Sequence, residues 1–159
     1  MRTLIAAATL VLASCGFVQP ALANEFGGLY VSATAGTEDV TSLPDSTDVV
    51  YGANVGVNIP LGDAVVGVEG TVDNVFQDER EIGASARLGY TFDNVMPYVE
   101  AGYTNYRDVF SRELDGLRVG GGVEVNISDH TFISLEYRYS DFEASVGKHS
   151  GLVGLGLRF

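Results

Sequence analysis

Beyond the first two dozen residues, apolar side chains recur at every second position, and the three-to-four spacing of an amphipathic helix does not appear. Eight such runs can be marked: Gly28–Gly36, Val49–Ile59, Ala64–Val72, Ile82–Phe92, Pro97–Tyr106, Gly116–Ile127, Thr131–Ser140 and Ser150–Phe159. Successive side chains of a strand point to opposite faces, so each run predicts a strand with one apolar and one mixed face. Most approach the roughly nine to eleven residues that a tilted strand needs to cross a bilayer. The connections alternate too. "PLGD", "DNVM" and "SDH" are tight, whereas "TEDVTSLPDSTD", "DNVFQDERE", "RDVFSRELD" and "DFEASVGKH" are longer and polar. An even strand number with short turns at one end and long loops at the other predicts an up-and-down antiparallel barrel. No connection suits a parallel crossover.

The two ends of the chain sharpen this picture. Met1 and Arg2 precede the apolar run "LIAAATLVLA", and "ALA" at Ala21–Ala23 stands before Asn24. That is the layout of a secretory signal cut between Ala23 and Asn24, too short to span a membrane as a helix. The expected domains are therefore a signal peptide, 1–23, and a barrel, 24–159. "LASC" at Leu12–Cys15 also resembles the box at which bacterial lipoproteins are cut and acylated, so lipidation at Cys15 is the competing reading. With Cys15 removed, thiol, disulfide and thiolate–metal chemistry are excluded. At the other end, Val153, Leu155, Leu157 and Phe159 share one strand face, which predicts that the last residues are built into the sheet rather than frayed.

Charge decides which face is inside. The whole chain carries −12, and losing Arg2 with the signal leaves 8 basic against 21 acidic side chains, −13. So acidic a surface argues against nucleic acid and against polybasic docking to anionic lipid. Yet the mixed strand face carries Glu69, Glu100, Glu124 and Glu136 with Arg87, Arg118, Arg138 and Arg158, which sum to zero. A solvated face would share the overall acidity and use lysine freely, whereas the one lysine, Lys148, falls in an expected loop. Arginine suits a charge that must be desolvated and paired in fixed geometry. Glycines line the same face, including Gly56, Gly83, Gly102, Gly120, Gly122, Gly154 and Gly156. An eight-stranded barrel is just wide enough for side chains to fill. The mixed face is therefore expected to be a packed lumen, with the aliphatic face turned to lipid.

The segments "MPYVEAGYTNY" (Met96–Tyr106) and "LEYRYSDF" (Leu135–Phe142), with the closing aromatic strand, resemble the small OmpA/OmpX-like, opacity-type outer-membrane barrels. The resemblance covers about Phe26 to Phe159. It implies an all-β fold, an eight-stranded antiparallel up-and-down transmembrane β-barrel, in the cell outer membrane with both termini periplasmic. It also implies that Val153, Leu155, Leu157 and Phe159 form a carboxy-terminal signal read by the barrel-insertion machinery.

Functional expectations follow from the faces. The lumen charges read as a structural plug of ion pairs, or alternatively as a narrow porin-like pore whose pairs switch partners. Tyr51, Tyr90, Tyr98, Tyr103, Tyr106, Tyr137 and Tyr139 suit an interfacial girdle. The loops are expected to hold the acidic excess: Glu38, Asp39, Asp45, Asp48, Asp73, Asp78, Glu79, Glu81, Asp108, Glu113, Asp115, Asp141 and Glu143 against Arg80, Arg107, Arg112 and Lys148, −9 in all. That rim could bridge divalent cations to lipopolysaccharide, but no loop has EF-hand spacing. His130 and His149 are the only histidines, and His149 and Ser150 point to opposite faces of a strand, so no catalytic dyad is expected. The role expected is structural or surface-interaction, without enzyme activity, cofactor or metal. The expected partners are outer-membrane lipid and lipopolysaccharide, the insertion machinery, and a host or surface ligand at the loops, with the barrel a monomer.

Overall fold

The computed structural model describes residues 25–41, 47–74, 80–107, 113–142 and 146–159. Eight antiparallel strands follow one another around a closed barrel: β1 (Gly28–Val40), β2 (Thr47–Leu61), β3 (Ala64–Asp73), β4 (Arg80–Tyr90), β5 (Val95–Arg107), β6 (Glu113–Ser128), β7 (Thr131–Phe142) and β8 (Val146–Arg158). Closure is made by β1 against β8 in a continuous register from Tyr30↔Arg158 to Val40↔Lys148. The last residue joins this ladder, with the Phe159 amide donating to the Leu29 carbonyl at 2.8 Å. No strand is left with an open edge, the requirement for backbone in hydrocarbon.

The tight turns lie at the same end as the two termini. Between β2 and β3, Gly62 has φ 73°, the positive value that a two-residue II′ hairpin asks of its first central residue. Asp93 (φ 51°) has the corresponding place between Phe92 and Val95, which exchange backbone hydrogen bonds of 2.8 and 2.9 Å. The β6–β7 pairing slips once, between Asn126 and Ser128.

The two faces separate by chemistry. Outward positions are aliphatic and open, as at Leu117, Leu135 and Val153, which are 68%, 64% and 61% exposed. The intervening positions are buried although many are charged. Tyr90, Phe92 and Phe159 stand outward at the turn end, and Tyr103 and Tyr137 outward toward the loop end. Tyr51 and Tyr139 share the outward parity and are half-buried. Tyr98 and Tyr106 do not belong to this girdle: each occupies an inward position of β5. Tyr98 keeps 5% exposure because its hydroxyl donates to a lumen carboxylate, Glu136.

The strands also run further toward the loops than hydrophobic alternation indicates, by four residues at β1 and at the start of β8. Four charges assigned to loops therefore lie inside the barrel: Glu38, Asp73, Glu81 and Lys148. Asp39, Arg80, Arg107, Glu113, Asp115 and Asp141 are likewise on strands, at outward positions. Ala23, Asn24 and Cys15, with Asp45, Asp78, Glu79, Asp108, Arg112 and Glu143, lie outside the described residues.

Candidate functional site: the charged lumen

The lumen is assembled from alternate residues of all eight strands. Among the described residues it holds seven buried carboxylates (Glu38, Glu69, Asp73, Glu81, Glu100, Glu124, Glu136) and five buried cations (Arg87, Arg118, Arg138, Lys148, Arg158). All eight charges named from sequence point inward, and the other four come from the extended strand ends. The described lumen is thus −2 rather than neutral.

Near the turn end, Arg87 of β4 reaches Glu69 of β3 at 3.3 Å and Glu124 of β6 at 3.4 Å, and Glu124 also pairs with Arg158 of β8. The Tyr30 hydroxyl donates to Glu69 at 2.6 Å and accepts from Arg87 at 2.5 Å. The Arg87 guanidinium lies 3.9 Å from the Tyr98 ring centroid, so its flat face is covered while its edges bond. Phe26, Val65, Met96 and Tyr98 cluster below it. Arg158 and the Asn126 amide donate to the Glu25 carbonyl at 2.9 and 3.3 Å, which fixes Phe26 across the turn-end mouth at 1% exposure.

At mid-height Arg138 of β7 is the hub. It pairs with Glu136 on its own strand, with Asp73 of β3 at 3.4 Å and with Glu100 of β5 at 3.6 Å. Its arm spans the lumen. Toward the loops, Arg118 of β6 pairs with Glu81 of β4, donates to the Thr71 hydroxyl of β3 at 2.9 Å, and lies 3.5 Å from Asp73. Lys148 completes this level between Glu38 of β1 (2.8 Å) and Glu81 (2.9 Å), 4.9 Å from the Tyr106 ring centroid.

Glycine makes room for these side chains. A Cβ on Gly56 would come within 2.4 Å of the Tyr30 ring, and one on Gly156 within 2.2 Å of Phe132. Each is the direct cross-strand partner of the aromatic it admits. One arc of the wall differs from the rest: Ser32, Thr34 and Asn54 of β1 and β2, beside Gly154 and Gly156 of β8, bring no charge to mid-height. There Thr34 Oγ1 and Asn54 Oδ1 are buried without a hydrogen-bond partner.

Sequence reading missed Tyr30, Tyr98, Phe26, Glu38, Asp73, Glu81 and Lys148 as lumen groups. The available signal was parity: Glu38 keeps step with Tyr30, and Lys148 with Leu152, past the point where their neighbours stop being apolar. Outside the lumen, Val153, Leu155, Leu157 and Phe159 all face outward. His149 is exposed on that face with its Nδ1 2.5 Å from the Tyr137 hydroxyl, while Ser150 is on the opposite parity.

Three comparisons place this geometry among known proteins. The family model described as outer membrane protein beta-barrel domain matches residues 7–159. The 25 kDa outer-membrane immunogenic protein of Brucella ovis is 29% identical over 158 residues, 86% of this chain and 78% of that one. Its Brucella canis counterpart is 31% identical over 157 residues, 86% and 71%. Among solved structures, Neisserial surface protein A superposes with a TM-score of 0.61 at 20% identity, covering 83% of this chain and 97% of that one. The Yersinia pestis attachment invasion locus protein, in complex with the heparin analogue sucrose octasulfate, gives 0.61 at 17%, covering 84% and 99%. The outer membrane enzyme PagL shares the fold at 0.51 and 10%, covering 82% and 99%.

Proposed function

We propose that this chain, which belongs to the outer membrane protein beta-barrel domain family and so lies in the outer membrane, is a non-enzymatic scaffold that holds its loops at the cell surface over a plugged lumen. The carrying observation is the Arg138 hub: one side chain ties β7 to β3 and β5 across the full width of the barrel. In an interior this narrow a buried charge is kept only beside its counter-charge, so the network acts as a filling rather than a path. With the tight turns and both ends of the barrel on the periplasmic side, the four longer connections face outward. Surface exposure there accords with the word "immunogenic" in the Brucella relatives' name. His149 bonds a tyrosine rather than a serine, which supports the non-enzymatic reading. Val153, Leu155, Leu157 and Phe159 serve as the insertion signal, and the barrel acts as a monomer.

A small porin-like channel is the second reading. It is favoured by the uncharged β1–β2–β8 arc, where unpartnered Thr34 Oγ1 and Asn54 Oδ1 could be wetted. Single-channel recording of residues 24–159 refolded into planar bilayers separates the two. A scaffold stays silent at both polarities while running as a heat-modifiable folded band. Stable openings that close in Asn54→Leu would replace the plug by a conduction path along that arc. The leader is tested on the full chain exported by a Gram-negative host: the mature protein begins at Asn24 if 1–23 is removed at Ala23, and carries acyl mass on Cys15 if the lipoprotein box is used instead.

A further inference from the structure

Seven arginine and lysine side chains fall within the described residues, and five of them are in the lumen. The remaining two, Arg80 and Arg107, lie on the outer face and are direct cross-strand partners in the β4–β5 register. Like charges placed opposite one another repel, and more so beside a low-dielectric slab. Arg107 is relieved by Glu113. Arg80 has no ion-pair partner among the described residues. The rest of that rim is acidic, with Asp39, Asp115 and Asp141 on the outward positions of β1, β6 and β7. Among the described residues, an acidic molecule therefore confines its outward positive charge to one spot, at the loop-side limit of its aliphatic belt.

Directly below that spot the outer face is concave. A groove of about 790 Å³ crosses the strands from the start of β7 to β4, with Val31, Ala33, Ala53, Gly70, Ile82 and Leu155 among its lining. It ends at Ile82, and the next outward residue along β4 is Arg80. An apolar trough that runs up to a pair of guanidiniums has the two-part shape of a single ligand, a chain with an anionic head.

We propose that this surface binds one outer-leaflet lipid whose headgroup bears a phosphate monoester, with an acyl chain in the Ala33–Ala53–Gly70 groove and the phosphate held between Arg80 and Arg107. A phosphomonoester carries close to two negative charges and three acceptor oxygens, which suits two planar guanidinium forks. The site rests on the barrel's place in the membrane and is independent of whether the lumen conducts.

The test is native mass spectrometry of the refolded barrel, released from detergent with diphosphoryl lipid A or with its enzymatically dephosphorylated form. Expected is one tightly retained diphosphoryl lipid, favoured over the dephosphorylated form by roughly tenfold, the loss of about one charged hydrogen bond. Arg80→Gln, which orphans no ion-pair partner among the described residues, and Arg80→Gln/Arg107→Gln should abolish the preference without altering heat-modifiability. Ala53→Phe, filling the groove, should weaken both lipids alike. Retention of the preference in the double variant overturns the headgroup assignment. Unchanged binding in Ala53→Phe overturns the groove, and displacement of the lipid by millimolar inorganic phosphate alone would mean a free-phosphate site instead. If Ala53→Phe fails to fold, Ala53→Leu makes the same comparison.

Discussion

Arg138 shows how much a single side chain can be asked to do in a barrel of this size. Its guanidinium has carboxylates of β3, β5 and β7 within 3.6 Å and is 2% exposed. Arg138→Ala is therefore expected to cost about 3–5 kcal/mol, the range for orphaning a buried charge. Arg138→Met keeps much of the volume but still strands Glu136, so it should recover little. Urea or guanidinium midpoints of the barrel in liposomes would read both, and a midpoint unmoved by Arg138→Ala would mean a hydrated lumen. Tyr30→Phe asks less. It removes the hydroxyl between Glu69 and Arg87, while those two remain paired at 3.3 Å, so a loss of about 1–3 kcal/mol is expected.

At the scale of a strand, the outer face changes chemistry with height while the ladder does not. On β7 the outward series reads Ile133, Leu135, Tyr137, Tyr139, Asp141: two aliphatics, two interfacial aromatics, then a carboxylate. A charge placed on the series should be penalised by depth. Leu135→Arg is expected to cost about 2–4 kcal/mol and Asp141→Arg about 0–1 kcal/mol, read as midpoints in the same liposomes. Equal costs would mean that the belt is not centred on Leu135. This height dependence also explains what the sequence could and could not disclose. Apolar alternation marks a strand only while its outer side faces hydrocarbon. Where the outward residues become Asp39 and His149, the alternation fades although the β1–β8 pairing continues to Val40↔Lys148. Strand number, turn order and the eight central lumen charges were legible because they lie within the belt. Glu38, Asp73, Glu81 and Lys148 were not, because reading them inward requires parity to be carried past its hydrophobic signal. Partner choice was illegible for a different reason. Glu69 and Arg87 are 18 residues apart on the adjacent strands β3 and β4, whereas Arg138 of β7 comes within 3.8 Å of Glu69 only after eight strands close.

For the whole molecule, the decisive feature of the proposed plug is that its closures would lie in series along one axis. Phe26 and the aromatic cluster seal the turn end, Arg138 bridges the middle, and Lys148 clamps Glu38 to Glu81 near the loops. Resistances in series are governed by the narrowest, so opening one closure leaves the others in control. Phe26→Ala alone should remain silent in planar bilayers, since the Arg87–Glu69 pair and the Arg138 hub lie above it. Lys148→Met should also remain silent, because Arg118 still holds Glu81. Phe26→Ala combined with Arg138→Ala empties the end and the middle together, beside an arc that already presents Ser32, Thr34 and Asn54. That double variant is expected to conduct, weakly and with preference for cations, because removing an arginine takes the described lumen from −2 to −3. Conductance in Phe26→Ala alone would instead make the aromatic seal the sole barrier and the ion pairs a permeable lining. Silence in the double variant would mean that the hydrogen-bonded tyrosines and threonines fill the barrel without help from its charges.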